Sequence, residues 1–215
     1  MTTENNFSHS LGEEIMNAVT HGVGTLMSIT GMVLLLVKEA FRPDGMRVPA
    51  MAGFIIFGCS LIFLYLMSTL YHSLIYTRAR RVFQEFDHLA IYILIAGSYS
   101  AYCLTVLYDT VGVRIFWIVW SIALFGITCQ LLIGRRFRPF SLVLYLAMGW
   151  ILIGAGGDVL DSIPDVIFWW ILGGGLCYTV GFVFYAYQKC PWMHPVWHIF
   201  VIMGSAAHIV AAMLC

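Results

Sequence analysis

An all-α bundle of seven transmembrane helices, with a cytoplasmic N-terminus and the C-terminus outside, is the fold the sequence predicts. Three observations lead to it. Of 215 residues, 61% are hydrophobic, and the mean hydropathy is +0.89. Only 10% are charged, against about a quarter in soluble domains. Cutting the chain at its charged residues leaves seven long charge-free runs, each close to or above the roughly 20 residues that cross a bilayer core. An ordinary soluble domain is thereby excluded. A formal net charge of zero also gives no electrostatic draw toward nucleic acid.

The expected spans are 15–37, 49–73, 88–108, 115–134, 139–157, 166–188 and 194–214, in one membrane domain covering 1–215. The first follows a polar stretch whose Glu13 and Glu14 suit the first turn of a helix, where the macrodipole favours negative charge. That stretch has no Lys or Arg, so it lacks the basic region of a cleaved signal peptide and the first helix is expected to remain. The second span begins at Pro49 and closes on His72. The third opens on Asp87-His88, with Asp87 suited to an N-cap. The fourth lies between Arg114 and Arg135. The fifth starts at Pro139 and ends among Gly154, Gly156 and Gly157; the sixth follows Pro164 and contains Gly173, Gly174 and Gly175. Small residues of this kind allow close packing or bends. The seventh opens at His194 and runs to Cys215 without an Asp, Glu, Lys or Arg. The six prolines all fall in connections or near run ends, where a missing N–H is tolerated. The six cysteines form no CxxC pair and read as small core residues.

Basic residues set the orientation. A cytoplasmic N-terminus puts Arg78, Arg80, Arg81, Arg135, Arg136, Arg138 and Lys189 on the inner side and leaves Lys38, Arg42, Arg47 and Arg114 outside. Positive charge collects on the cytoplasmic side of membrane proteins, so this arrangement is the expected one. Trp150, Trp169, Trp170, Trp192 and Trp197 fall toward span ends, as an aromatic belt does.

On that topology His72, Asp87, His88, His194 and His198 meet one leaflet. Ionisable groups at membrane depth are costly and face a cavity or a partner, so their gathering points to a polar chamber near the cytoplasmic face. His194 and His198 are four apart, which on a helix brings their Cβ atoms within about 5 to 6 Å. With His72 they form a three-histidine set that leaves a fourth position open, as catalytic zinc sites do. The plainer reading is three interfacial histidines that bond across helices. Asp87 could orient a water or accept its proton, and Ser68, one turn before His72, could bond a ligand or that water. A back bond from Ser68 to its own i−4 carbonyl is the plainer alternative. Pro195 disfavours α geometry at His194 and puts it at the helix cap. His21 and His88 fit ordinary helix-to-helix hydrogen bonding. His208 lies about 80° off the His198 face and some 15 Å deeper, so it is not counted as a ligand.

Ser68-Thr69-Leu70-Tyr71-His72, Phe86-Asp87-His88 with Ala96-Gly97-Ser98-Tyr99, Tyr145-Leu146-Ala147-Met148-Gly149-Trp150 and His194-Pro195-Val196-Trp197-His198 resemble the bacterial hemolysin III proteins. Glu13-Glu14-Ile15, Asn17 and Thr20-His21-Gly22 are similar to that family's N-terminal signature. The family lies in the progestin and adipoQ receptor superfamily, with the adiponectin receptors as distant relatives. Ser98, Ser100 and Ala101 depart from the commoner Thr, Thr and Pro. The resemblance implies zinc near the inner leaflet on His72, His194 and His198, with Asp87 and Ser68 beside it. It also implies an integral protein of the cell membrane with hydrolase-like activity on a lipid amide or ester, acting in membrane homeostasis, with a membrane lipid as its partner. The alternatives are a receptor-like regulator with a structural zinc and a pore-forming hemolysin; no charged residue lies mid-span to line a pore.

Overall fold

The computed structural model describes residues 10–187 and 190–215; Lys189, counted among the inner basic residues, and Gln188, which ends the sixth expected span, lie outside the described residues. Every regular element among the described residues is helical: α1 (Leu11–Ala40), α2 (Val48–Ser73), α3 (Arg80–Cys103), α4 (Gly112–Ile133), a 3-10 turn (Gly134–Phe137), α5 (Arg138–Gly149), α6 (Ile151–Gly154), α7 (Gly157–Leu160), α8 (Asp165–Ala186) and α9 (Met193–Leu214). Among the described residues five helical stretches are long and apolar enough to cross a membrane: Leu11–Ala40, Val48–Ser73, Gly112–Gly149, Asp165–Ala186 and Met193–Leu214.

Ser10 caps α1 through a reciprocal capping box, its Oγ accepting from the Glu13 N–H while Glu13 Oε2 accepts from the Ser10 N–H at 2.8 Å. The buried face of α1 is a polar stripe, Glu14, Asn17, His21, Gly24 and Ser28, at the three- and four-residue steps of one helical face. Val19, Val23, Leu26 and Val33 are exposed on its other side, the side a lipid-facing helix makes apolar. Gly24 lets α1 approach α2 closely, because a Cβ there would stand 2.6 Å from the Tyr65 ring.

Two expected spans differ from the helices formed. The third begins at Arg80 rather than 88. Its early charges find partners on other helices: Arg80 pairs with Glu14, and Arg138 donates to Glu85 at 2.9 Å. These pairs permit two extra turns ahead of the apolar segment, so Asp87 stands well inside α3 and is not an N-cap. The fifth, 139–157, is broken into α5, α6 and α7, with Gly156 at φ 92°, a left-handed value that glycine adopts without a Cβ penalty. The phenol of Tyr99 stitches the first break, donating to Gly149 O at 3.1 Å and accepting from the Leu152 N–H at 3.0 Å. Backbone groups freed inside a membrane require such partners.

The helices pack in a partial ring. α1 lies between α2 and α9, α2 packs on α3, α3 on α4, and α8 on α9, while α5 returns against α3 and α4. At the end away from His72, Glu39 accepts from the Arg47 backbone N–H at 2.8 Å and from its guanidinium at 3.1 Å. Lys38 Nζ donates to Met213 O at 2.8 Å, which satisfies a carbonyl in the last turn of α9.

Candidate metal centre

The last turn of α2 and the first turns of α9 bring His72, His194 and His198 together. The ring centroids form a triangle with sides of 5.1, 5.1 and 4.7 Å. One nitrogen from each lies within 4.8 Å of the others, so the three could hold a metal ion. His72 is 2% exposed and His198 1%. His194 is half-buried, with its Nδ1 enclosed.

His194 is the second residue of α9 rather than its cap. Trp192 takes the N-cap in a left-handed conformation, φ 66°, held because its N–H donates to Glu13 Oε1 at 2.7 Å. Pro195 is accommodated in the first turn, where no intrahelical donor is required of it. The carboxylate that begins α1 therefore also sets where α9 begins.

Neighbours on α1 fix the imidazole orientations. His72 Nδ1 lies 2.6 Å from Glu14 Oε2, and Arg80 binds the other Glu14 oxygen. With Nδ1–H donating to the carboxylate, Nε2 carries the lone pair, and this atom is buried with no hydrogen-bond partner. His198 Nδ1 lies 3.3 Å from Asn17 O, and donation there leaves its Nε2 as the acceptor too. Metal-ligating histidines characteristically donate their second nitrogen to a carboxylate or carbonyl in this way. The chain thus fits a metal ion on its own geometry.

His194 and His198 border a polar cavity of about 140 Å³, and Ser68, Asp87, His88, His21 and Arg138 line it with them. Ser68 Oγ is buried and bonds nothing among the described residues, so the back bond expected of a membrane serine is not made. His88 Nδ1 bonds Gln84 O of its own helix at 2.6 Å. Among the described residues His21 forms no interhelical hydrogen bond: it stacks on His198 at 3.5 Å between centroids, with both ring nitrogens buried and unbonded there.

Glu14 and Asn17 are the residues that the sequence reading assigned no site role. The signal was present, since 14, 17 and 21 step along one helical face, but Glu14 had an adequate local explanation as a first-turn charge.

A second cavity of about 120 Å³ continues from the first, and Leu64, Ile91, Trp197 and Val201 border both. It lies between α5–α6, through Tyr145, Leu146, Leu152 and Ile153, and α8, through Ile171, Leu172 and Phe182. Trp150 Nε1 bridges this gap to Thr179 Oγ1 at 3.2 Å. Trp150 and Trp197 thus line a cavity rather than serving only as belt residues. His208 borders this second cavity and stands outside the ligand group, as the sequence indicates.

The family described as Haemolysin-III related matches residues 9–209. The chain belongs to that family. It is 40% identical over 198 residues to the Hemolysin-3 homolog of Bacillus subtilis (strain 168), covering 92% of each chain. It is 37% identical over 194 residues to Hemolysin-3 of Bacillus cereus, covering 90% of this chain and 87% of that one. The human Monocyte to macrophage differentiation factor is 26% identical over 209 residues, with 93% and 82% covered, which supports membership of the wider progestin and adipoQ receptor superfamily. With its long apolar helices, this haemolysin III family member is a multi-pass membrane protein.

Proposed function

We propose that the protein binds zinc through His72, His194 and His198 and hydrolyses an amide or ester bond of a membrane lipid. The observation that carries this reading is the junction of two chambers, a polar one holding braced imidazoles and an apolar one with room for an alkyl chain. Three imidazole donors suit zinc and leave a position for a reactant. When bound, zinc supplies a Lewis acid for a carbonyl group and brings the pKa of water near neutral. The Glu14 carboxylate and the Asn17 carbonyl accept from the Nδ1–H groups of His72 and His198, which leaves each Nε2 as the acceptor that faces the metal. Asp87, on the chamber wall, accepts a proton from the attacking water and returns it to the leaving nitrogen or oxygen. Ser68 Oγ–H, otherwise unbonded, donates to the carbonyl oxygen of the substrate. The chain of the lipid enters between α5–α6 and α8, where the walls exclude water.

In this reading the protein crosses the cell membrane seven times with its N-terminus cytoplasmic, α3 and the α5–α7 segment taking part in two of the crossings. A cysteine placed at Asp44 is then labelled by an impermeant maleimide on intact cells, and one placed at Arg78 only after permeabilisation. The reverse pattern overturns the orientation.

Elemental analysis of the purified protein beside His72→Ala and His198→Ala tests the zinc. About one zinc per chain is expected, lost in both variants. A zinc-loaded preparation is then assayed on a panel of membrane amides and esters, where Asp87→Asn should lower turnover by roughly 10²- to 10⁴-fold with the metal retained. A panel left intact overturns the hydrolase reading. A second reading draws on the same cluster: three rings from two helices, braced by a third, also suit a structural zinc in a receptor-like regulator. It predicts bound zinc, no turnover and a lower Tm for His198→Ala.

A further inference from the structure

His208 sits on α9 ten residues beyond His198, about 15 Å along the helix axis. It is 6% exposed and borders the apolar cavity. Among the described residues its side chain bonds one residue, Tyr102, whose hydroxyl lies 2.7 Å from His208 Nδ1 and 3.2 Å from His208 O. A phenol has one proton, so both bonds form together only when Nδ1–H donates to the phenol oxygen and the phenol donates to the carbonyl. That arrangement leaves Nε2 unprotonated, an acceptor with no hydrogen-bond partner among the described residues.

Hydroxyl groups around the cavity are already engaged. Tyr99 bonds Gly149 and Leu152, Tyr178 bonds Ser205 at 3.0 Å, Thr179 donates to Gly175 O at 2.8 Å, and Ser98 donates to Ile95 O at 2.8 Å. The imidazole edge packs against α8 at Gly174, where a Cβ would stand 2.7 Å from Nε2 and from Cδ2. Tyr178 stacks on the His208 ring, 5.4 Å between centroids and 19° between planes, and so holds its orientation. An oriented, unbonded acceptor in an otherwise apolar cavity costs free energy unless something donates to it.

We propose that the apolar chamber takes an alkyl chain bearing a hydroxyl group partway along it, and that His208 Nε2 accepts the hydrogen bond from that hydroxyl. The inference deepens the lipid-hydrolase reading and rests on it for the substrate class. His208 then discriminates among chains by hydroxyl position, while its distance from the metal centre keeps it out of the bond-breaking step.

The test is competition against a fluorescent fatty acid, using the zinc-loaded protein in nanodiscs. The competitors are octadecanoic acid and a series of hydroxyoctadecanoic acids that differ in hydroxyl position. One isomer should bind about five- to tenfold more tightly than the unsubstituted acid, the scale of one net hydrogen bond. His208→Phe should abolish that preference and keep the affinity for octadecanoic acid. Gly174→Ala, which crowds Nε2, should abolish it independently should the first variant fold poorly. The proposal is overturned if the parent binds no isomer more tightly than octadecanoic acid, if no acid binds, or if the preference survives in both variants. Free acids are not hydrolysed, so the preference can survive an inactive lipid panel, and that outcome would remove only the hydrolase reading.

Discussion

Two buried glutamates on α1 stand at opposite ends of the bundle, and each grips an arginine. Glu39 is fully buried and Glu14 is 4% exposed. Glu39 gives its carboxylate to Arg47, through the backbone N–H and the guanidinium, which also reaches the Cys215 carbonyl at 3.5 Å. Glu14 divides its oxygens between Arg80 and His72. Burial and charge pairing are therefore alike at the two ends, yet only one carboxylate leaves a downstream nitrogen oriented and unsatisfied. What marks a site here is the valence left over after the pairing.

The comparison can be broken or sharpened by substitution. Glu39→Gln should have the largest effect on stability, about 3 kcal/mol in denaturant unfolding, because the buried carboxylate accepts three charge-assisted bonds from Arg47, one of them from its backbone N–H; zinc content should not change. If the zinc leaves with Glu39, the two ends act as one device and the contrast fails. Glu14→Gln should lower metal affinity roughly 10- to 100-fold, read by chelator competition, with a smaller loss of stability because Arg80 can turn to solvent. Tyr99→Phe tests a brace remote from both ends: it should cost about 1 to 2 kcal/mol through the unsatisfied Gly149 and Leu152 backbone groups and leave zinc affinity intact. Arg80→Lys, which keeps a cation beside the buried Glu14 carboxylate, should have the smallest effect, within about 1 kcal/mol.

Much of this was legible in the sequence. Charge-free runs revealed the apolar helices because the bilayer imposes a minimum length on them. The three histidines and Asp87 were legible because ionisable groups stand out against apolar spans. The start of α3 was not, since cutting at charges cannot see that Arg80 finds Glu14 across the bundle. Neither was the break at Trp150, which depends on a phenol from α3 arriving at the right height. Glu14, Asn17 and His21 had the spacing of a common face, but spacing does not reveal what the face meets. His208 was correctly set aside as a ligand, and its bond to Tyr102 depends on how α3 and α9 meet.

More than half the chain separates His72 from His194. During synthesis, then, α2 enters the membrane long before α9 exists, and the His72 nitrogen waits without its two companions. No metal can be captured at this centre until the last helix is inserted. Once it is, any ion that favours the finished bundle over its unassembled helices stabilises it by mass action. Metal supply would thus act only after α9 has joined the bundle.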